Sequence, residues 1–72
     1  MEVRARDLRV GMKVKLLKNQ SCNTNFAENA ETEGITITSI NSNYFRYYYG
    51  ERCSDGGDKR YDSVKHLTFL VC

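Results

Sequence analysis

Between residues 8 and 16 the chain alternates without a break. Leu8, Val10, Met12, Val14 and Leu16 are apolar, and Arg9, Gly11, Lys13 and Lys15 lie between them. Apolar residues at period two predict a strand with one buried face and one basic face in water. Gly11 inside it marks a bend or a close backbone approach. Glu2, Arg4, Arg6 and Asp7 precede the strand as a lead-in turn.

From Lys18 to Glu33 this rhythm disappears, and Phe26 is the one large apolar side chain in the run KNQSCNTNFAENAETE. Ala27, Glu28, Ala30 and Glu31 permit a short helix over 25–33, but a loop pinned by Phe26 is the preferred reading. Order returns at Gly34. Ile35 and Ile37 alternate with Thr36 and Thr38, all β-branched and suited to a pleated surface. Ile40 falls out of step, which predicts a bulge near Ser39. Asn41, Ser42 and Asn43 supply a turn, and YFRYYYG follows as a second strand, so 34–50 reads as a hairpin.

Arg46 sorts the faces of that second strand, because a lone arginine in an apolar strand points to water. Tyr44, Arg46 and Tyr48 then lie outside, with Phe45, Tyr47 and Tyr49 inside. Asp55-Gly56-Gly57-Asp58 reads as a turn and as the tip of a second hairpin. Asp62 or Ser63 caps a helical turn that faces Val64 and Leu67 inward, and Thr68–Val71 closes as a last strand. The predicted core is Leu8, Val10, Met12, Val14, Leu16, Ile35, Ile37, Phe45, Val64, Leu67 and Phe69.

That order of elements resembles the SH3-like small β-barrels, a superfamily that includes Tudor, KOW and ribosomal-type barrels. The resemblance is carried by DLRVGMKVKLL, GITITSINSNYFRYYYG and YDSVKHLTFLV. It implies a mainly β fold: a single SH3-like barrel of about five strands over residues 1–72, with one short helical turn before the last strand. An open antiparallel sheet with one helix packed on it is the competing architecture. There is no ALYDY-like stretch and no paired tryptophan, so a proline-rich-peptide groove is not implied. In size and style the chain also resembles small accessory or host-directed proteins of bacteriophages.

Composition narrows the function. The sequence has 72 residues, 11 Lys+Arg against 9 Asp+Glu, and a formal charge of +2. That balance excludes an acidic mimic of DNA and gives little support to a general nucleic-acid binder. A chain this short buries only about 60% of the surface its unfolded form exposes, so its core is thin. No apolar run reaches the ~18 residues of a membrane helix. The start MEVRARDLRV is too charged for a signal peptide. A cytoplasmic protein with no membrane partner is the expectation.

Cys22, Cys53 and Cys72 are odd in number and lack CxxC spacing, so neither a disulfide, nor a metal, nor any cofactor is expected. His66 stands alone as a histidine and reads as structural, the acids are scattered, and Gly56-Gly57 is flanked by aspartates that repel phosphate. An enzyme is therefore not the expectation.

Binding is better supplied. Residues 1–18 carry +4, and 19–33 carry −3, a dipolar pattern that steers a charged partner. Four of the five tyrosines lie within Tyr44–Tyr49. Tyrosine and arginine are enriched at protein-interface hot spots, and both also stack on unpaired bases. The leading expectation is a protein-binding module, an adaptor or an inhibitor of a larger assembly. Its site would be Tyr44, Arg46 and Tyr48 with Arg9, Lys13 and Lys15. The alternative is a nucleic-acid binder with Arg9, Lys13 and Lys15 on phosphates and the tyrosines as a stacking platform. A small-ligand pocket on the aromatic face is a third option, and an aromatic ladder that only stabilises the sheet is the structural explanation.

Overall fold

The computed structural model describes residues 1–17 and 24–72. Its strands are β1 (Glu2–Arg4), β2 (Lys13–Leu16), β3 (Ile35–Ile40), β4 (Tyr44–Tyr49), β5 (Gly56–Arg60) and β6 (Thr68–Val71). A 3-10 turn, Ala5–Asp7, follows β1; helix α1 (Thr24–Thr32) precedes β3, and the short helix α2 (Tyr61–Val64) links β5 to β6. The strands form one antiparallel sheet in the order β1-β6-β2-β3-β4-β5.

The fold is mainly β with short helices, and the sheet is open rather than a closed five-stranded barrel. Closure requires β5 to pair with β1. Instead the chain leaves β5 directly into α2, which packs against the 3-10 turn after β1. The Tyr61 ring lies 5.6 Å from Phe45 and 4.1 Å from the Arg6 guanidinium carbon, so side chains rather than a strand ladder join the two ends of the sheet.

The alternation over 8–16 is only half a strand. β2 starts at Lys13, because the chain first turns at Val10–Gly11, with the Met12 N–H donating to the Arg9 carbonyl at 3.1 Å. Val10 is consequently 63% exposed, and Met12 is only partly buried against the core. The other nine predicted core residues are buried. They are joined by Ala5, Phe26, Ala30, Tyr47, Tyr49 and Tyr61.

Residues 24–32 form the helix α1 rather than a loop, while 18–23 of that stretch lie outside the described residues. Phe26 and Ala30, four apart, share one helix face, and both are buried. The Phe26 ring meets Tyr47 edge-on at 5.4 Å. One large and one small apolar residue suffice for a helix this short.

The 34–50 hairpin forms as read, with its register shift between Ile37 and Ser39. Asp55–Asp58 is not a hairpin tip, because the turn comes earlier and Gly56-Gly57 open β5. Strand β5 runs so close to β4 that a Cβ on Gly56 would collide with the Tyr47 carbonyl oxygen. Gly57 sits opposite Tyr47, whose hydroxyl would be 3.8 Å from an added Cβ. Gly56 is a site of close approach, and neither glycine lies in the turn. The predicted caps on α2 are absent, since its N-cap is Arg60 without a side-chain cap, and Ser63 Oγ donates to the Arg60 carbonyl at 2.9 Å. Among the described residues no helix is long and apolar enough to cross a membrane.

Candidate functional site

Strand alternation sends Val14, Leu16, Ile35, Ile37, Phe45, Tyr47, Tyr49 and Phe69 to the core, and it sends their neighbours to the opposite face of the sheet. Register then decides which of those neighbours meet. Lys13, Thr36, Tyr48 and Gly56 form one row across β2 to β5. Arg46 stands opposite Asp58, and Tyr44 opposite Arg60. Lys15 shares the face, beside Leu70.

Five of the six predicted residues therefore lie on one surface. Tyr44 and Tyr48 are half-buried rather than fully outside, while Arg46, Lys13 and Lys15 are exposed. Arg9 is the exception. It precedes β2, and its Nη1 donates to the Leu8 carbonyl at 2.8 Å and the Arg6 carbonyl at 3.1 Å.

Charge on the face is mixed. Arg46 Nε lies 2.9 Å from Asp58 Oδ1, so the cation between the two tyrosines has a partner. Lys13 Nζ is 3.9 Å from Glu51 Oε1. Both pairs are exposed and add little stability. Beside Arg46 and Tyr48 lies a shallow hollow of about 380 Å³, walled by Thr38 and the 53–58 segment. Asp58 was missed from the sequence because only the β4–β5 register reveals it as the partner of Arg46.

His66 is exposed, and its carbonyl accepts from Arg4 Nη1 at 3.5 Å. Cys53 and Cys72 are free and exposed, and Cys22 lies outside the described residues. Among the described residues no three His, Cys, Asp or Glu side chains gather as a metal-binding group.

Beneath the face, the Tyr47 and Tyr49 hydroxyls are 3.3 Å apart. Burial, reinforced by Tyr49 and by Asp58 and Asp55, holds the Tyr47 phenol well above its ordinary value. The unfolded chain releases this proton near pH ~10, the folded protein only at higher pH. Stability tied to Tyr47 is thus complete below pH ~10 and declines as pH rises beyond it. Urea midpoints taken between pH ~8 and ~11 should fall above pH ~10, and less steeply in Tyr47→Phe. Equal slopes in the two proteins would contradict this account.

No protein-family model, curated protein or solved structure matches this chain.

Proposed function

We propose that the protein is a non-enzymatic protein-binding module, an adaptor or inhibitor of a larger assembly, that docks through the outer face of β2 to β5. The observation that carries this reading is the alignment of Tyr44, Arg46 and Tyr48 with Lys13 and Lys15 on one sheet face. Half-buried tyrosines present large rings at low entropic cost, and a rim of paired charges suits a protein partner. The Arg46–Asp58 pair opposes the nucleic-acid alternative here, since it sets a carboxylate where a phosphate would approach. Arg9, which that alternative also requires, is off this face. The open sheet, with a helical turn ahead of its last strand, is read as an opened relative of the SH3-like barrels.

The test is a comparison of captured proteins. Wild type, Tyr44→Ala and Tyr48→Ala are immobilised separately, and proteins retained from a lysate of the producing cells are identified by mass spectrometry. A partner held by wild type and lost by both variants supports the site. With that partner purified, each variant should lose about 2 kcal/mol, roughly thirtyfold in affinity. Lys13→Glu and Lys15→Glu should mainly slow association. Undiminished retention by both tyrosine variants, with melting temperatures near that of wild type, would remove this face from consideration.

A further inference from the structure

A second surface gathers charge without neutralising it. Arg4, Arg6 and Arg9 fall within six residues at the 3-10 turn, and Arg60 and Lys65 flank α2, which packs against that turn. All five are exposed. The three arginines are held, but by neutral acceptors. Arg4 Nη1 reaches the His66 carbonyl at 3.5 Å, and Arg6 Nη1 donates to the Ser42 carbonyl at 2.9 Å. The Arg6 guanidinium also stacks 4.1 Å over the Tyr61 ring. Arg9 is tied back to the Leu8 and Arg6 carbonyls.

The ion pairs among the described residues lie elsewhere, at Lys13–Glu51, Arg46–Asp58, Arg52–Glu33 and Arg52–Asp55. Glu2, which lines a hollow with Arg4 and Asp7, is an acid of this corner together with Asp7 and Asp62, and the Asp7 carboxylate accepts from the Arg4 backbone N–H. Five cations against three acids leave an excess of two positive charges. Each guanidinium carries five donors, of which the carbonyl bonds occupy one or two, so directed donors remain for an anion. Because Arg4, Arg6 and Arg9 are anchored before anything binds, they lose less rotamer freedom on binding.

Two features select the anion. Tyr44, half-buried, is the cross-strand neighbour of Arg60, so a ring for stacking stands beside the cations. A ring next to phosphate-binding arginines matches an unpaired nucleotide strand better than a purely acidic peptide. The helical elements at this corner are also too short to enter a duplex groove: the 3-10 turn has three residues and α2 four.

We propose that the corner formed by Arg4, Arg6, Arg9, Arg60 and Lys65 binds the backbone of a single-stranded nucleic acid, with Tyr44 as the adjoining stacking surface. Tyr44 belongs to both this corner and the proposed docking face, whereas Lys13, Lys15 and Tyr48 belong to that face alone, so variants at Lys15 and Tyr48 separate the two proposals.

The experiment is fluorescence anisotropy with labelled single-stranded DNA and RNA of about 12 nucleotides, a length within the usual site range. An acidic peptide of glutamates of equal length serves as a second probe. Binding should weaken about 20-fold between ~50 and ~200 mM salt if three phosphates are contacted. Arg4→Glu, Arg9→Glu and Lys65→Glu should each lower affinity about tenfold, and each should flatten the log–log salt slope by ~0.7 if one phosphate contact is lost. Lys15→Glu and Tyr48→Ala should leave binding within about twofold. Lys65→Glu has no backbone anchor to disturb, so it reports even if the Arg4 variant folds poorly. The proposal is overturned by any of three results: no binding of either nucleic acid, binding unaffected by Arg9→Glu and Lys65→Glu, or tighter binding of the acidic peptide, which would assign the corner to an acidic protein segment.

Discussion

Replacing Phe45 by alanine should leave the chain largely unfolded at room temperature. Phe45 is fully buried in β4, opposite Ile40 on one side and Lys59 on the other. Its ring lies 6.1 Å from Tyr47 and 5.6 Å from Tyr61, so it ties the hairpin to the helix that spans the sheet's open side. Truncation of a core phenylalanine to alanine costs about 3–5 kcal/mol in transfer and cavity terms. A domain of this size rarely holds more than about 3–5 kcal/mol in total. The loss and the reserve are therefore comparable. Far-UV circular dichroism of Phe45→Ala should show a mostly unfolded spectrum without a cooperative melt. Phe45→Leu, which keeps most of the volume, should cost less than about 2 kcal/mol and remain folded. A cooperative melt of Phe45→Ala within a few degrees of wild type would show that the aromatic cluster is dispensable.

Gly34→Ala should also be strongly destabilising. Gly34 joins α1 to β3 at φ +79°, and its N–H donates to the Asn29 carbonyl at 3.1 Å. An added Cβ would meet the Val14 carbonyl oxygen at 2.8 Å and Lys15 Cγ at 3.0 Å. The left-handed backbone alone costs a non-glycine residue about 1–2 kcal/mol, and forced contact in a packed region adds about 1–3 kcal/mol. Gly11 provides the control. It has φ +90° but nothing within 4 Å of an added Cβ. Gly11→Ala should therefore show only the backbone part, on the order of 1–2 kcal/mol. Urea denaturation of the two variants separates the contributions. Equal losses would mean that the approach to Val14 carries no energy.

The parts of this fold that were legible in the sequence are those whose pattern and partner lie close together. The 34–50 hairpin was readable because Arg46 breaks the symmetry of an otherwise apolar strand, and because its partner strand ends only four residues before it begins, across a short turn. β6 was readable from consecutive β-formers after a helical turn. β1 was not, since Glu2 and Arg4 surround a single Val3, and the strand exists through its pairing with Leu70, Phe69 and Thr68 at the far end of the chain. Period two carried the reading of β2 too far, through Val10, because alternation does not register a turn whose residues happen to keep the rhythm. The glycine pair misled for a related reason: dipeptide chemistry indicates a turn, whereas the close approach of Tyr47 is a tertiary fact.

The candidate site divides in the same way. Which side Tyr44, Arg46 and Tyr48 face follows from alternation, and Lys13 and Lys15 follow likewise. That Asp58 meets Arg46 depends on a β4–β5 register no local rule sets. The arginine corner depends on Arg4 reaching His66, a separation of 62 residues. In the sequence Arg4, Arg6 and Arg9 are merely a basic approach to a strand.

The place of β6 between β1 and β2 also sets a timetable for biosynthesis. Among the described residues β1 has no other strand neighbour, and β2 has only β3 besides β6. As the chain leaves the ribosome, the hairpin of β3 and β4 can zip up at once, since its strands adjoin. The first strand has to stay unpaired until residues 68–71 emerge, because β6 is the strand that holds it. Loop closure between strands so far apart in sequence is slow compared with local pairing. Nascent chains arrested before Thr68 thus carry an unsatisfied β1, and the sheet is completed only once β6 has left the ribosome.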